Sequence, residues 1–291
     1  MMRKIRTYHE IEHDTGSGIL EQVLEQRARV TRRLASVRAV VAVLSGKGGV
    51  GKSAVTANLA AALVQRGARV GALDADLNGP SLGRMLGASG KRLEDGEDGF
   101  VPPAGAGGVR VVSMELLQDA PDAPLRWRGP AHDGFVWQGL AETGTLREFF
   151  SDIVWGDLDV LLVDVPPGTD RIARLLDLVR PHVALLVTTP AEIARFVVAK
   201  SARLLREAGI DAIGIVANMT GPLEPGAADG ARALADETGI AIWADIPFDA
   251  RLAVCTDRGE PCVLGLPDAP ASRAFSALAE RLLDALPAGT P

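Results

Sequence analysis

The chain is poor in cysteine: Cys255 and Cys262 are its only thiols among 291 residues. Two cysteines do not supply the disulfide framework that small secreted domains use. No apolar segment follows the basic start, Met1 to Arg6, so we expect no secretion signal. No apolar run approaches the length that a membrane span requires. These absences predict a cytoplasmic protein without a membrane span.

An excess of positive charge is also absent. The formal net charge is −6, with 31 Lys and Arg residues against 37 Asp and Glu residues. This balance gives no reason to expect nucleic acid as a partner, because binding to a polyanion requires clustered cations. Hydrophobic residues make up 47% of the chain, which is long enough to form one large domain with a substantial core.

Short apolar runs alternate with helical patterns along most of the chain. Such alternation predicts an α/β fold, with a mostly parallel central sheet and helices on both faces. A polar segment, 86–108, predicts a mobile excursion from this core. We predict an N-terminal arm over 1–37 that carries an amphipathic helix, followed by a single domain over 38–291. The predicted strands are 40–44, 70–73, 109–112, 160–165, 183–188, 213–217 and 240–243, and helices are predicted over 54–65 and 271–286.

The most informative segment, 45–53, lies between the first predicted strand and the helix that follows it. Its glycines remove Cβ atoms that would keep backbone N–H groups away from an anion, and they permit positive φ. Lys52 begins a helix whose free N–H groups favour negative charge, and the Ser53 hydroxyl can ligate Mg²⁺. Lys47 is surplus to the phosphate-loop pattern G-x-x-x-x-G-K-[ST]. The pattern predicts nucleotide binding by Gly46, Lys47, Gly48, Gly49, Val50, Gly51, Lys52 and Ser53.

Carboxylates follow two other predicted strands. Asp74 and Asp76 lie where the ligands of open α/β sheets bind. A carboxylate there can hold Mg²⁺ through water or orient the water that attacks a phosphate, and we expect at least one of the pair to cap the following turn. Asp164 ends a buried apolar strand in a Walker-B arrangement, which predicts that it supports Mg²⁺.

A stiff turn follows Asp164. It reads Pro166-Pro167-Gly168, and its flexible N–H, at Gly168, can contact a γ-phosphate. A turn of this kind couples hydrolysis to a change of shape. The sequence therefore predicts that Pro166, Pro167 and Gly168 form a switch loop.

Together these motifs resemble the Mrp-type iron-sulfur carrier ATPases, whose wider kin are the MinD/ParA and nitrogenase-iron-protein ATPases. The resemblance extends over about 38–290, and the Asn-Gly-Pro-Ser element at 78–81 is similar to that of the Mrp branch rather than MinD or ParA. It implies the P-loop NTPase fold of that group and Mg²⁺-dependent ATP hydrolysis. The other matching segments are 74–87, 128–130, 155–159 and 164–169.

The resemblance also implies roles for individual residues. In this family the first loop lysine reaches the nucleotide of a partner subunit, so Lys47 would be catalytic in trans, in the manner of an arginine finger, and the protein would be a homodimer. The loop end, Lys52-Ser53, would serve phosphate and Mg²⁺. Asp76 would be the catalytic residue that positions the attacking water, Asp164 would support Mg²⁺, and Asn218 would hydrogen-bond adenine.

One departure from the family concerns its cluster ligands. Mrp-type proteins commonly carry a Cys-Pro-x-Cys pair after the Asn-Met element, whereas 219–226 contains no cysteine here. Thiolates are the ligands that such clusters need. Cys255 and Cys262 lie in a different segment, and we expect them to be small buried hydrophobic residues, although they could pair across a dimer. Binding of a 4Fe-4S cluster is therefore an open question.

Three functions remain open on the sequence. The first is an ATP-dependent carrier or assembly factor that delivers iron-sulfur clusters to a client. The second is a MinD/ParA-type dimerisation switch that recruits a protein partner only in its ATP state. The third, an ATP-dependent enzyme of small-molecule metabolism, would enlist His132 or His182, but each is isolated in the sequence from other catalytic residue types.

Overall fold

The computed structural model describes residues 19–117, 134–190, 193–221 and 230–287. Helices and strands alternate along these residues, as the sequence predicts. The strands are β1 (Val40–Ser45), β2 (Val70–Asp74), β3 (Glu94–Gly96), β4 (Gly99–Val101), β5 (Arg110–Val112), β6 (Val160–Asp164), β7 (Val183–Thr188), β8 (Ile213–Thr220) and β9 (Ile242–Pro247). The helices are α1 (Ile19–Leu34), α2 (Lys52–Gln65), α3 (Leu82–Met85), α4 (Gly134–Ser151), α5 (Thr169–Leu178), α6 (Ile193–Glu207), α7 (Gly230–Thr238), α8 (Ala250–Asp257), α9 (Cys262–Gly265) and α10 (Pro270–Ala285).

Seven strands form one parallel sheet in the order β5-β2-β6-β1-β7-β8-β9. The register pairs Asp74 of β2 with Asp164 of β6, and Asp164 also lies beside Val43 of β1. Since all these strands run in one direction, their carboxyl ends meet at one edge of the sheet. The phosphate loop and both aspartates therefore lie at the same edge.

The sheet is buried on both faces. Val41 and Val43 of β1 belong to one core cluster, together with apolar residues of α2 and α10. Val40, Ala42 and Leu44 belong to a second cluster, with residues of α4, α5 and α6. Successive side chains of a strand point to opposite faces, so a strand between two helical layers needs apolar residues throughout. The continuous apolar run of β1 has this cause, and the predicted two-sided packing is confirmed.

One predicted strand was wrong in its bounds, and the predicted excursion contains a hairpin that was not predicted. The predicted strand 240–243 lies instead at Ile242–Pro247, and it includes the exposed Asp245, because an edge strand tolerates polar residues that an apolar pattern does not reveal. The polar excursion 86–108 contains the short antiparallel hairpin β3–β4. Phe100 fixes the hairpin to the core through backbone bonds to Asp152 (2.9 Å) and Val154 (2.8 Å).

The predicted amphipathic helix of the N-terminal arm is present as α1. Its polar side chains bind α4 and the residue after it: Arg29 Nη1 lies 3.2 Å from Asp152 Oδ1, and Arg33 Nε donates to the Ser151 carbonyl at 3.2 Å. Residues 1–18 lie outside the described part, so the division at residue 37 remains a prediction. No helix among the described residues is long and apolar enough to cross a membrane.

Candidate nucleotide site

The phosphate loop requires glycine for two separate reasons. Gly49 and Gly51 have φ of 78° and 79°, a region that residues with a Cβ rarely adopt. A Cβ on Gly51 would also lie 2.4 Å from the amide nitrogen of Asn218. Gly51, the last residue before α2, therefore has a backbone conformation and a close neighbour that no other residue type accommodates.

Asp164 is the buried centre of the site. Its side chain is fully buried and accepts from Lys52 Nζ and from Ser53 Oγ, each at 2.5 Å. Thr56 Oγ1 adds a third bond at 3.2 Å. A buried carboxylate is tolerated only when it is paired and hydrogen-bonded, and these three donors meet that need. The sequence analysis missed Thr56, although its position one helical turn after Lys52 places it on the same face of α2.

Asp74 supports the structure of the neighbouring loop. Its carboxylate is buried and accepts backbone N–H bonds from Ser81 and Leu82, both at 2.9 Å, and from Asp76 at 3.1 Å. Burial and, after it, the nearby Asp164 carboxylate raise the pKa of Asp74 to about 7, against the lowering effect of the Leu82 and Ser81 N–H donors. Asp74 therefore caps the turn that follows β2, as expected for at least one of the two aspartates.

Asp76 faces the cavity above the phosphate loop. The side chain is half-buried, and one of its oxygens accepts from the Gly79 N–H at 3.3 Å. The cavity is lined by Asp76 and Ser81 on one side, by the loop on the other, and by Pro167. The fold thus brings Asp76 and the switch loop to the place where the sequence analysis predicted phosphate chemistry.

The two lysines of the loop have different surroundings. The ammonium group of Lys52 is buried against Asp164. Lys47 is half-buried, its carbonyl accepts from Ser45 Oγ at 3.0 Å, and its ammonium group has no partner among the residues that the structure describes. Both lysines therefore line the cavity, but Lys52 is paired with Asp164, whereas the ammonium group of Lys47 is unpaired among the described residues.

Asn218 contacts the loop from β8. Its Nδ2 donates to the Val50 carbonyl at 2.9 Å, while the neighbouring Met219 has the left-handed φ of 57° that is rare outside glycine. The residue predicted to bind adenine thus also braces the phosphate loop, a contact that the sequence analysis did not foresee.

The switch loop joins β6 to α5. Pro166 is half-buried and Pro167 exposed, and Gly168 precedes the first residue of α5 with a φ of 120°. Only glycine adopts that conformation readily. The turn is therefore stiff at its two prolines and permissive at the residue whose N–H was predicted to contact phosphate.

The cysteines lie away from this cavity, in α8 and α9. Cys262 is buried, its Sγ accepts from Ser272 Oγ at 3.3 Å, and burial raises the pKa of its thiol. Cys255 is half-buried and packs against the same core cluster. Among the described residues, no three His, Cys, Asp or Glu side chains are grouped to hold a metal ion. Because thiolates are required, these cysteines do not fit a cluster within one subunit.

The remaining candidates lie elsewhere. His182 Nδ1 accepts from the Val40 N–H at 3.1 Å, at the end of β1 opposite the phosphate loop, so its role is structural. His132 and the segment 128–130 lie outside the described residues, as does 222–229, which follows β8.

Comparison with known proteins agrees with this geometry. A family model described as "ParA: NUBPL iron-transfer P-loop NTPase" matches residues 36–283. The cytosolic Fe-S cluster assembly factor NUBP2 of Bos taurus is 38% identical over 270 residues, which cover 88% of this chain and 96% of that protein. The iron-sulfur cluster carrier protein of Saccharolobus solfataricus is 33% identical over 275 residues, which cover 90% of this chain and 89% of that protein.

Solved structures show the same relationship. The nucleotide-binding protein of Archaeoglobus fulgidus in complex with ADP has a TM-score of 0.69 and 30% identity, and the match covers 86% of this chain and 96% of that chain. The cell division ATPase MinD of Pyrococcus furiosus has a TM-score of 0.63 and 27% identity, over 84% and 98% of the two chains. These similarities confirm the predicted resemblance and fold class. The chain belongs to the NUBPL-type iron-transfer P-loop NTPases of the ParA family.

Proposed function

We propose that the protein binds and hydrolyses ATP with Mg²⁺ as a homodimer, and that this cycle serves the carriage or assembly of iron-sulfur clusters in the cytoplasm. The observation that carries the proposal is the buried Asp164 carboxylate, which holds Lys52 and Ser53 at the mouth of a cavity that Asp76 also lines. Two relatives, one a cytosolic Fe-S cluster assembly factor and one an iron-sulfur cluster carrier protein, support the cellular role.

The residues beside the phosphate loop fit a magnesium ion. Asp164 and Ser53 offer a carboxylate and a hydroxyl oxygen 2.5 Å apart, and oxygen ligands of this kind are those that Mg²⁺ prefers. When bound, the ion would neutralise phosphate charge. Ser53 and Asp164 would hold it, the glycine-rich backbone of the loop would cradle the phosphates, and Lys52 would bind the β- and γ-phosphate oxygens.

Two further residues would act on the transferred phosphate. Asp76 would orient the attacking water across the cavity, as its place opposite the loop allows. Lys47 would neutralise developing charge on the nucleotide of the partner subunit, in keeping with an ammonium group that is unpaired within the described residues of its own chain. Gly168 would contact the γ-phosphate, and Asn218 would bind adenine while it braces the loop.

A cluster bound to this protein would require thiolate ligands that the chain itself does not offer near the nucleotide site. The segment after Asn218 contains no cysteine, and the two thiols that exist are buried or half-buried in the core. We propose that a partner or the client supplies most thiolates and that this chain supplies the nucleotide-driven step. In that case the protein alone binds little iron, and it takes up cluster only together with a partner that contributes cysteines.

Two assays test the proposal. Phosphate release from ATP should require Mg²⁺ and should be lost in the Asp76→Asn variant, whereas the Asp157→Asn variant, at an exposed position, should retain it. Absence of Mg²⁺-dependent hydrolysis in the unmodified protein would contradict the ATPase role. Anaerobic reconstitution followed by iron and sulfide analysis should show cluster uptake only with a cysteine-bearing partner, and no uptake under any condition would remove the carrier role.

The missing cysteines favour a second candidate, a dimerisation switch of MinD/ParA type that carries no cluster. Under that hypothesis ATP binding builds a surface for a protein partner and hydrolysis dismantles it. A pull-down with a non-hydrolysable ATP analogue, compared with ADP, discriminates the two. Partners that bind only in the ATP state and contain no iron-sulfur cluster would favour the switch over the carrier.

A further inference from the structure

Glu142 of α4 is a buried carboxylate with no part in the nucleotide chemistry described above. Its side chain is 5% exposed. One oxygen accepts from Asn78 Nδ2 at 2.7 Å, and the other accepts from Arg174 Nη1 at 3.2 Å. The guanidinium of Arg171 contacts the second oxygen as well. A carboxylate this deeply buried, with three donors from distant parts of the chain, is a structural junction.

The junction joins two segments that line the cavity at the phosphate loop, the one that carries Asp76 and the one that carries Pro167. Asn78 belongs to the loop after β2 and follows Asp76 by two residues. Arg171 and Arg174 belong to α5, which begins directly after Pro166-Pro167-Gly168. A small cavity between the segments is lined by Asp76, Asn78, Glu142, Pro166, Arg171 and Arg174. Glu142, which lies on α4, thus connects the loop that carries Asp76 to α5, the helix that follows the switch loop.

The charges around Glu142 explain why a carboxylate is needed there. Burial lowers the pKa of Arg171, and the positive charge of Arg174 lowers it further, while Asp76 acts in the opposite direction. Asp170 Oδ2 lies 3.5 Å from Arg171 Nε and 3.8 Å from Arg174 Nη2. Because the Asp170 side chain is 64% exposed, solvent screens its attraction to both arginines. If Glu142 lost its charge, Asp76, which is less exposed than Asp170 and whose charge already acts on Arg171, would be available to pair with Arg171. A pair between Arg171 and Asp76 would remove the acceptor that water needs.

We propose that Glu142 is a positioning residue for ATP hydrolysis: it occupies Arg171 and Arg174, anchors Asn78, and so keeps Asp76 available to the attacking water. The inference rests on the proposed ATPase function. Glu142 does not touch the nucleotide, so its effect should fall on turnover rather than on ATP binding.

The test compares two isosteric substitutions on one helix, Glu142→Gln and Glu148→Gln. Glu148 is an exposed position of α4 on which the charge of Asp152 acts, and it serves as the control. We expect Glu142→Gln to lower kcat for ATP by about 10- to 100-fold with KM changed by less than about threefold, because misplaced catalytic groups cost rate at this scale. Glu148→Gln should match the unmodified protein in both constants.

A rescue experiment separates positioning from general loss of structure. If Arg171 captures Asp76 in Glu142→Gln, then adding Arg171→Ala should restore most of the lost kcat, while Arg171→Ala alone should change kcat by less than about threefold. If Glu142→Gln does not fold, Asn78→Ala at an exposed position removes the hydrogen bond from the loop to Glu142 while the carboxylate is kept, and it too should lower kcat at unchanged KM.

Each outcome decides the inference. No hydrolysis by the unmodified protein overturns the proposed function and the inference with it. If the unmodified protein hydrolyses ATP, three results would overturn the inference alone. They are unchanged kinetics in Glu142→Gln, a change confined to KM in that variant, and no recovery of kcat in the double variant. If Glu142→Gln does not fold, an unchanged kcat in Asn78→Ala overturns it as well.

Discussion

The two halves of the sheet's carboxyl edge differ in the functional residue types that they carry. At β2 and β6, Asp74 and Asp164 are buried carboxyl groups, and each accepts hydrogen bonds from several donors. At β8 the chain carries Asn218, followed by a segment without cysteine, and Cys262 of α9 is buried in the hydrophobic core. The residues that we propose for nucleotide chemistry are therefore grouped at one half of this edge, whereas the two cysteines of the chain lie elsewhere.

This difference predicts which substitutions reduce stability and activity most. A buried charge that loses its partner leaves an uncompensated charge, so changes at the β2–β6 side should affect both stability and activity. A thiol packed as a small hydrophobic residue contributes volume and little else. Variants of the two sides should therefore differ by several kcal/mol in the free energy of unfolding, as the next three predictions specify.

Lys52→Met should have the largest effect. The substitution removes the ammonium group that binds Asp164, so the free energy of unfolding should fall by about 3 kcal/mol, and affinity for ATP should fall by about 100-fold. Lys47→Met is the matched control, because it makes the same chemical change in the same loop without breaking a contact among the described residues. Denaturant unfolding and calorimetric titration measure both quantities. Equal unfolding midpoints for the two variants would contradict the role of the Lys52–Asp164 pair.

Asp74 should make stability depend on pH. Its pKa is raised to about 7 in the folded protein, above the value near 4 of an unfolded aspartate. The unfolded chain therefore loses this proton first as pH rises, so the Asp74 contribution to stability is greatest below about pH 4, falls through the interval to about pH 7, and is constant above it.

The measurement is the difference in unfolding free energy between the unmodified protein and Asp74→Asn across this range. That difference should decrease by about 3 kcal/mol from pH 5 to pH 8, since other titrating groups are shared by both proteins. Ser113→Ala, which removes only a distant donor to Asp74 at 3.4 Å, should leave the slope unchanged. A difference that is flat with pH would show that Asp74 is charged throughout.

Much of the phosphate site could be predicted because it depends on short-range patterns. The loop 45–53 specifies its own conformation through glycine, and Asp164 follows an apolar strand that can only be buried. Glu142, Arg171 and Arg174 could not be found in this way, because their meeting depends on the packing of α4 against α5 and the Asp76 loop. The β3–β4 hairpin was missed for another reason, since its short exposed strands carry no alternating apolar pattern.

The cysteines should give the smallest effects. Cys262→Ala leaves a small unfilled space in the core and should lower the free energy of unfolding by about 1 kcal/mol, whereas Cys255→Ala, at a half-buried position, should change it by less than about 0.5 kcal/mol. Iron content after anaerobic reconstitution should be the same for both variants as for the unmodified protein. A loss of iron in either variant would show that these thiols ligate a cluster, in a dimer arrangement that one subunit does not contain.

The central claim is that ATP closes two subunits around their nucleotides through Lys47. The most direct test is the molecular mass in solution, measured by light scattering with ADP and with a non-hydrolysable ATP analogue, for the unmodified protein and for Lys47→Ala. We predict that the analogue shifts the unmodified protein towards a dimer, and that Lys47→Ala weakens this shift while nucleotide affinity per subunit changes little. A mass that does not respond to the nucleotide, or an identical response in both proteins, would contradict the claim.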